Sequence, residues 1–274
     1  MEETVAGGFH FLTGPAGHQG RSLGRTATIA PQMAWLETAS ETFVARHDQR
    51  DAEDAERVLA QLEYARPRLQ RRLGLETGEL AVVLHPTSAQ LDAAQPWLML
   101  QRTRTAPAAR RYVVGRVTDG ELHVLAPRVL AARASNVEGS LELLMLAPTA
   151  LLAKRLLMPE GRRRGRRKAP GEVPWRLEGA AQFFSGQTRH VRPAVVLRTH
   201  DGPKPSFPPS ARDALLLGGT VFDLLAREEG EEACVKLARA PDPAQALERA
   251  FHGRPLRQTE QAWRSHLARL ARPG

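Results

Sequence analysis

The chain has a single cysteine, Cys234, in 274 residues. One thiol makes no intramolecular disulfide, so the fold does not depend on an oxidising compartment. It also excludes a structural zinc site built on two or more thiolates. Aromatic residues make up only 5% of the sequence. No stretch reaches the ~18 apolar residues that a membrane span requires. Met1–Thr13 carries Glu2 and Glu3 where a secretory signal would be basic, and no apolar run follows them. No signal, no membrane partner and a cytoplasmic location are therefore expected. The nine histidines include no pair spaced as two ligands on one helix face.

The hydrophobic content is 42%, which at this length is enough for a sizeable core. The formal net charge is +9. Six of the cations fall in one run: Arg162, Arg163, Arg164, Arg166, Arg167 and Lys168. The basic excess is thus mainly a property of one segment. Such a run can contact phosphate backbones. It can equally be a solvated loop. No aromatic lies inside it to stack on bases, which favours the solvated loop over a nucleic-acid platform.

Residues 1–33 are rich in Gly, Thr, Ser and Pro, without a sustained period, and read as a flexible leader. Residues 34–274 read as one domain, with a sheet-containing part at 34–136 and a helical part at 137–274. Met33–Val44 reads as a strand. In Asp51–Leu73 the apolar residues Val58, Leu62, Ala65, Leu69 and Leu73 recur at steps of three and four, which predicts an amphipathic helix. Glu79–His85, Arg111–Val117 and Glu121–Leu125 have strand length and composition. Thr118, Asp119 and Gly120 make a hairpin turn between the last two. After Val137 the pattern turns helical. The apolar run Val137–Met158 has Pro148 inside it. A basic loop follows at 159–173. Pro174–Ser185 opens with proline at a first helical position. Further helices are expected over 211–229, 231–240, 243–251 and 257–270. The fold class is α+β: a small mixed sheet with a packed helix, then a helical subdomain.

Several nucleotide and nucleophile motifs are missing. Gly14–Ser22 lacks the glycine spacing and the lysine of a phosphate loop. No nucleophile elbow is present. Cys234 sits in an apolar helical setting and reads as a core residue. His123 lies on a strand and has two readings, a metal ligand near an active site or a structurally satisfied histidine.

One segment is more specific. Val173–Gly186 reads VPWRLEGAAQFFSG, and Pro174, Trp175, Glu178, Gly179, Ala181, Phe183 and Phe184 resemble the stretch that supplies the third zinc ligand in gluzincin-type, peptidase MA-like metallopeptidases related to thermolysin. The upstream helix, strand and hairpin resemble that family's sheet subdomain. Residues 213–267 resemble its helical tail, so the resemblance covers roughly 35–270. It implies a zincin-type architecture, with the active site between the two parts and Glu178 as the third ligand.

The resemblance fails at the helix before it. The family carries His-Glu-x-x-His there, with two imidazoles on one helix face and a glutamate as general base. Alignment puts Leu146 at the first histidine, Ala147 at the glutamate, Thr149 just before the second histidine and Ala150 at that histidine. Residues 131–158 contain no histidine at all. Pro148 adds the cost of a proline in a helix interior, about 3 kcal/mol.

The resemblance therefore implies a pseudopeptidase with a vestigial site at Leu146, Ala147, Thr149, Ala150, Trp175 and Glu178. Glu178 is either a relic ligand or a first-turn glutamate favoured by the helix dipole. If it points inward it needs a cationic partner, for which an arginine is expected. No cofactor is expected, and zinc only if unorthodox ligands rebuild the site. The expected role is a binding or scaffold module for an unknown protein or peptide. The alternatives are an active hydrolase with rebuilt ligands, and an acidic-partner or nucleic-acid binder acting through 161–168.

Overall fold

The computed structural model describes residues 35–118, 120–158, 174–200 and 202–272. The leader reading over 1–33, the loop reading over 159–173 and the basic run from Arg162 to Lys168 lie outside the described residues.

Leu36–Ala39 (β1), Phe43–His47 (β2), Leu80–His85 (β3), Gly115–Val117 (β4) and Glu121–Leu125 (β5) form one sheet in the order β1-β2-β3-β5-β4. The strands β2, β3 and β5 run parallel, and the edges β1 and β4 are antiparallel to their neighbours. Parallel neighbours need a long crossover. Ala52–Leu73 (α1) provides it between β2 and β3. Side chains alternate across a strand. Phe43 and Ala45, Leu80, Val82 and Leu84, and Leu122 and Val124 are buried and share one core with Val58, Leu62, Leu69 and Leu73 of α1.

Two strand readings change. The strand expected over Met33–Val44 is β1 and the start of β2, joined by a turn in which the Ser40 N–H donates to the Phe43 carbonyl at 2.9 Å. The strand expected from Arg111 begins only at Gly115, because Pro107–Tyr112 closes into a 3-10 helix. Ser88–Ala94 (α2), Trp97–Arg104 (α3) and Pro127–Arg133 (α4) are helices that the pattern did not announce. Each is about two turns long, too short to display an apolar period. The hydroxyl of Thr87 starts α2 by accepting the Gln90 N–H.

The helical part comprises Ser140–Met145 (α5), Ala147–Leu157 (α6), Pro174–Ser185 (α7), Arg192–His200 (α8), Ala214–Glu229 (α9), Glu231–Arg239 (α10), Pro243–Ala250 (α11) and Leu256–Ala271 (α12). α7 and α9 approach each other closely. A Cβ on Gly179 would lie 2.4 Å from the Gly218 carbonyl carbon, so two backbones meet where no side chain fits. Buried Arg198 of α8 donates to Asp213 at the start of α9, Nη2 to Oδ2, at 2.9 Å. α12 is tied to α9 by the Trp263 indole N–H, which donates to Thr220 Oγ1 at 2.8 Å. Cys234 is buried in α10, and burial pushes its thiol up to about 12, which suits a core residue and not a nucleophile. Among the described residues no helix is long and apolar enough to cross a membrane.

Candidate functional site

The apolar run from Val137 to Met158 breaks at Leu146 (φ −81°, ψ 0°) into α5 and α6. Pro148 therefore falls in the first turn of α6. An N–H there has no helical partner to lose, so the interior penalty expected from sequence does not arise. Proline here starts a helix and does not damage one.

Beyond Pro148, positions three and four apart share a face. Ala147, Ala150, Leu151 and Lys154 form the face of α6 that lines a pocket. Glu178, Ala181 and Gln182 of α7 form the opposite wall. Val113, Val114 and Gly115 close it beside the sheet edge. Gly115 approaches so closely that a Cβ there would lie 2.7 Å from Leu151 Cδ1 and 2.5 Å from the His123 carbonyl oxygen. The pocket has a volume of about 50 Å³. A water needs about 10–15 Å³, so the space suits a few waters or one short side chain. It is far below the roughly 300–1,000 Å³ of a small-molecule site. Val113, Ala147, Leu151 and Ala181 are buried on its floor. Gln101, Tyr112, Ala150, Lys154, Glu178 and Leu215 are partly exposed and mark its rim.

Glu178 is not in the first turn of α7, whose first turn contains no acidic residue. It lies a turn further in and points at α6. Its partner is not an arginine. The Lys154 ammonium group donates to Glu178 Oε1 across the pocket. The two side chains are only 20% and 16% exposed. A carboxylate so placed is costly without a cation beside it, and Lys154 provides one. The neighbouring glutamines are engaged elsewhere. The Gln182 amide donates to the Leu215 carbonyl and accepts the Gly219 N–H at 3.1 Å. Gln187 donates to the Leu143 carbonyl at 2.7 Å.

Of the six vestigial positions, Ala147, Ala150 and Glu178 come together in the pocket. Leu146 does not line it; as the junction residue its carbonyl accepts the Ala150 N–H at 3.0 Å. Thr149 faces α1, where its hydroxyl accepts from Gln61 at 2.9 Å. Trp175 is buried against Phe222, with ring centroids 6.2 Å apart. Lys154 escaped the sequence reading. Its signal was the helical ladder, since Lys154 follows Ala150 by one turn and precedes Glu178 by 24 residues.

His123 lies elsewhere. Leu122 and Val124 of β5 turn into the helical core, so His123 between them points to the other face of the sheet. There its Nδ1 lies 3.0 Å from His85 Nε2, and its Nε2 lies 3.1 Å from Glu121 Oε2. Burial, and then neighbouring His123, push His85 down to about 4. Burial lowers His123 as well, while the Glu121 carboxylate opposes that shift. Both rings are therefore neutral at neutral pH.

Zinc is expected here only if unorthodox ligands rebuild the site, and the donors in the pocket do not suit it. Glu178 is the single carboxylate, histidine or cysteine among the lining residues, and it is already neutralised. Catalytic zinc takes three protein ligands and a water. Among the described residues no group of three or more such side chains is placed to hold a metal. Comparison with models of known protein families and with curated protein sequences gives no match.

Proposed function

We propose that this chain is a catalytically inactive, metallopeptidase-like protein, a pseudopeptidase acting as a peptide-binding or scaffold module. The Lys154–Glu178 ion pair carries this reading. It sets an ammonium group against the carboxylate to which the resemblance assigns zinc. Peptide hydrolysis at such a site needs a metal-polarised water and a general base beside it. Ala147 stands at the expected base position, and the pocket lining offers no substitute carboxylate.

The pocket opens beside β4, an edge strand of the sheet. An extended peptide can add to such an edge through main-chain hydrogen bonds. The small pocket then takes one side chain and sets the register. This ligand needs no cofactor and no chemistry from the protein.

The test is incubation of the purified chain with a pool of fluorescein-labelled octapeptides, with and without added zinc. Anisotropy reads binding and mass spectrometry reads cleavage. Binding with every peptide mass intact is the expected result. Zinc-dependent cleavage that disappears in Glu178→Ala overturns the reading and makes the chain an enzyme with rebuilt ligands.

A further inference from the structure

Short helix α3 rests on the body of the protein through Leu98, its single fully buried residue. Arg102 anchors its far end, pairing with Asp92 and donating to the Val113 carbonyl at 3.3 and 3.2 Å. The N-terminal half of the helix also carries uncovered apolar residues. Trp97 is 63% exposed, Met99 58% and Leu100 37%. Three large apolar side chains in four consecutive residues form a patch and not a scatter, and such patches mark interaction sites.

The patch has a direction. Trp97, Leu100, Gln101 and Arg104 are spaced i, i+3, i+4 and i+7 and share one helix face. Gln101 is on the pocket rim. The apolar strip thus leads from Trp97 to the pocket mouth.

It also has a charge. Residues 93–118 contain five arginines and no aspartate or glutamate. Of these, Arg104 and Arg110 are exposed and pair with no carboxylate among the described residues. The Arg110 Nε donates to the Thr105 carbonyl at 3.3 Å, which holds its guanidinium at the C-terminal end of α3 beside Arg104. The cationic crowding extends further. Burial and the guanidinium groups of Arg102 and Arg111 together depress Arg133, which the single carboxylate of Asp92 offsets only in part. Like charges converge here, and among the described residues only Arg102 of this group pairs with a carboxylate, that of Asp92.

We propose that the Trp97–Leu100–Arg104 face of α3, with Arg110 at its end, docks an acidic peptide segment of a partner protein. An aliphatic or aromatic side chain of the segment packs on Trp97 and Leu100. Its carboxylates meet Arg104 and Arg110, and the chain continues past Gln101 toward the pocket. Unpaired rim charges of this kind set specificity and association rate more than total affinity. The inference rests on the peptide-binding reading above, but not on the absence of metal.

Three labelled octapeptide pools test it by anisotropy on the full chain. In all three, apolar residues alternate with four variable positions, filled with Asp or Glu, with Asn or Gln, or with Lys. The acidic pool should bind at least about tenfold more tightly than the neutral one, and the preference should shrink as salt rises. Arg104→Glu with Arg110→Glu should remove that preference, and Trp97→Ala with Leu100→Ser should weaken binding about tenfold. These positions are exposed, so the variants should fold, and an unchanged urea midpoint checks that. Equal binding of acidic and neutral pools, unaffected by the α3 variants, overturns the inference and leaves strand addition at β4 standing. Binding of none of the pools overturns both. Charge-dependent binding to phosphatidylserine vesicles, with no binding of the peptide pools, overturns it in favour of a membrane surface.

Discussion

Lys154 and Glu178 face each other across a pocket in which neither could be removed without stranding the other. Both are about four-fifths withdrawn from water, so each depends on the other's charge. Breaking such a pair by deleting one member costs about 3 kcal/mol, whereas replacing both by matched apolar groups is often neutral. Glu178→Ala and Lys154→Met should each lose about that much stability in urea unfolding. Lys154→Met combined with Glu178→Met should lose far less than the two singles summed. Additive losses would mean that the two side chains do not act as a pair.

The crossing of α7 and α9 predicts a sharper loss. A methyl group on Gly179 or Gly218 would sit within 3 Å of the opposing backbone, which has no rotamer by which to yield. Gly179→Ala should destabilise by about 3 kcal/mol, at the upper end for overpacking. Gly186→Ala, with open space around its Cβ but a φ of +87°, should lose less, about 1 kcal/mol. Urea midpoints of the two variants give the comparison.

The His85–His123 pair makes stability depend on pH. His85 titrates near 4 when folded and near 6.5 when unfolded, so the unfolded chain binds more protons between those values. Stability therefore falls as pH drops from about 6.5 to about 4, by roughly 3 kcal/mol from this ring. The lowering of His123 acts in the same direction. His85→Phe should flatten the slope of unfolding free energy against pH in that window. A slope unchanged by the substitution would contradict the assignment to this pair.

Much of the architecture is legible in the sequence. The period of Val58, Leu62, Leu69 and Leu73 marked α1, the turn at 118–120 marked the β4–β5 hairpin, and Pro174 with Gly186 bracketed α7. Short α2, α3 and α4 carry too few turns for a period to emerge. The junction at Leu146 was missed because an apolar run with a proline in it reads the same whether the proline breaks one helix or begins a second. The pocket was half legible. Ala147, Ala150 and Glu178 were named from the family resemblance. Lys154 was not, because in LLAKRLL a lysine reads as an ordinary cation in a last helical turn. Only the packing of α6 on α7 turns it onto a carboxylate 24 residues away.

The most direct test of the account is zinc content by elemental mass spectrometry, on the wild-type chain and on Ala150→His with Lys154→His. The aligned histidine position Leu146 does not line the pocket, whereas positions 150 and 154, one turn apart, both line it with Glu178. Two histidines there complete a three-ligand set of the kind that holds one zinc. Less than about a tenth of an equivalent is expected in the wild type and close to one in the double variant. Near-stoichiometric zinc in the wild type would contradict the pseudopeptidase reading. No zinc in either protein, with the variant folded, would contradict the convergence of positions 150, 154 and 178 on one point of the pocket.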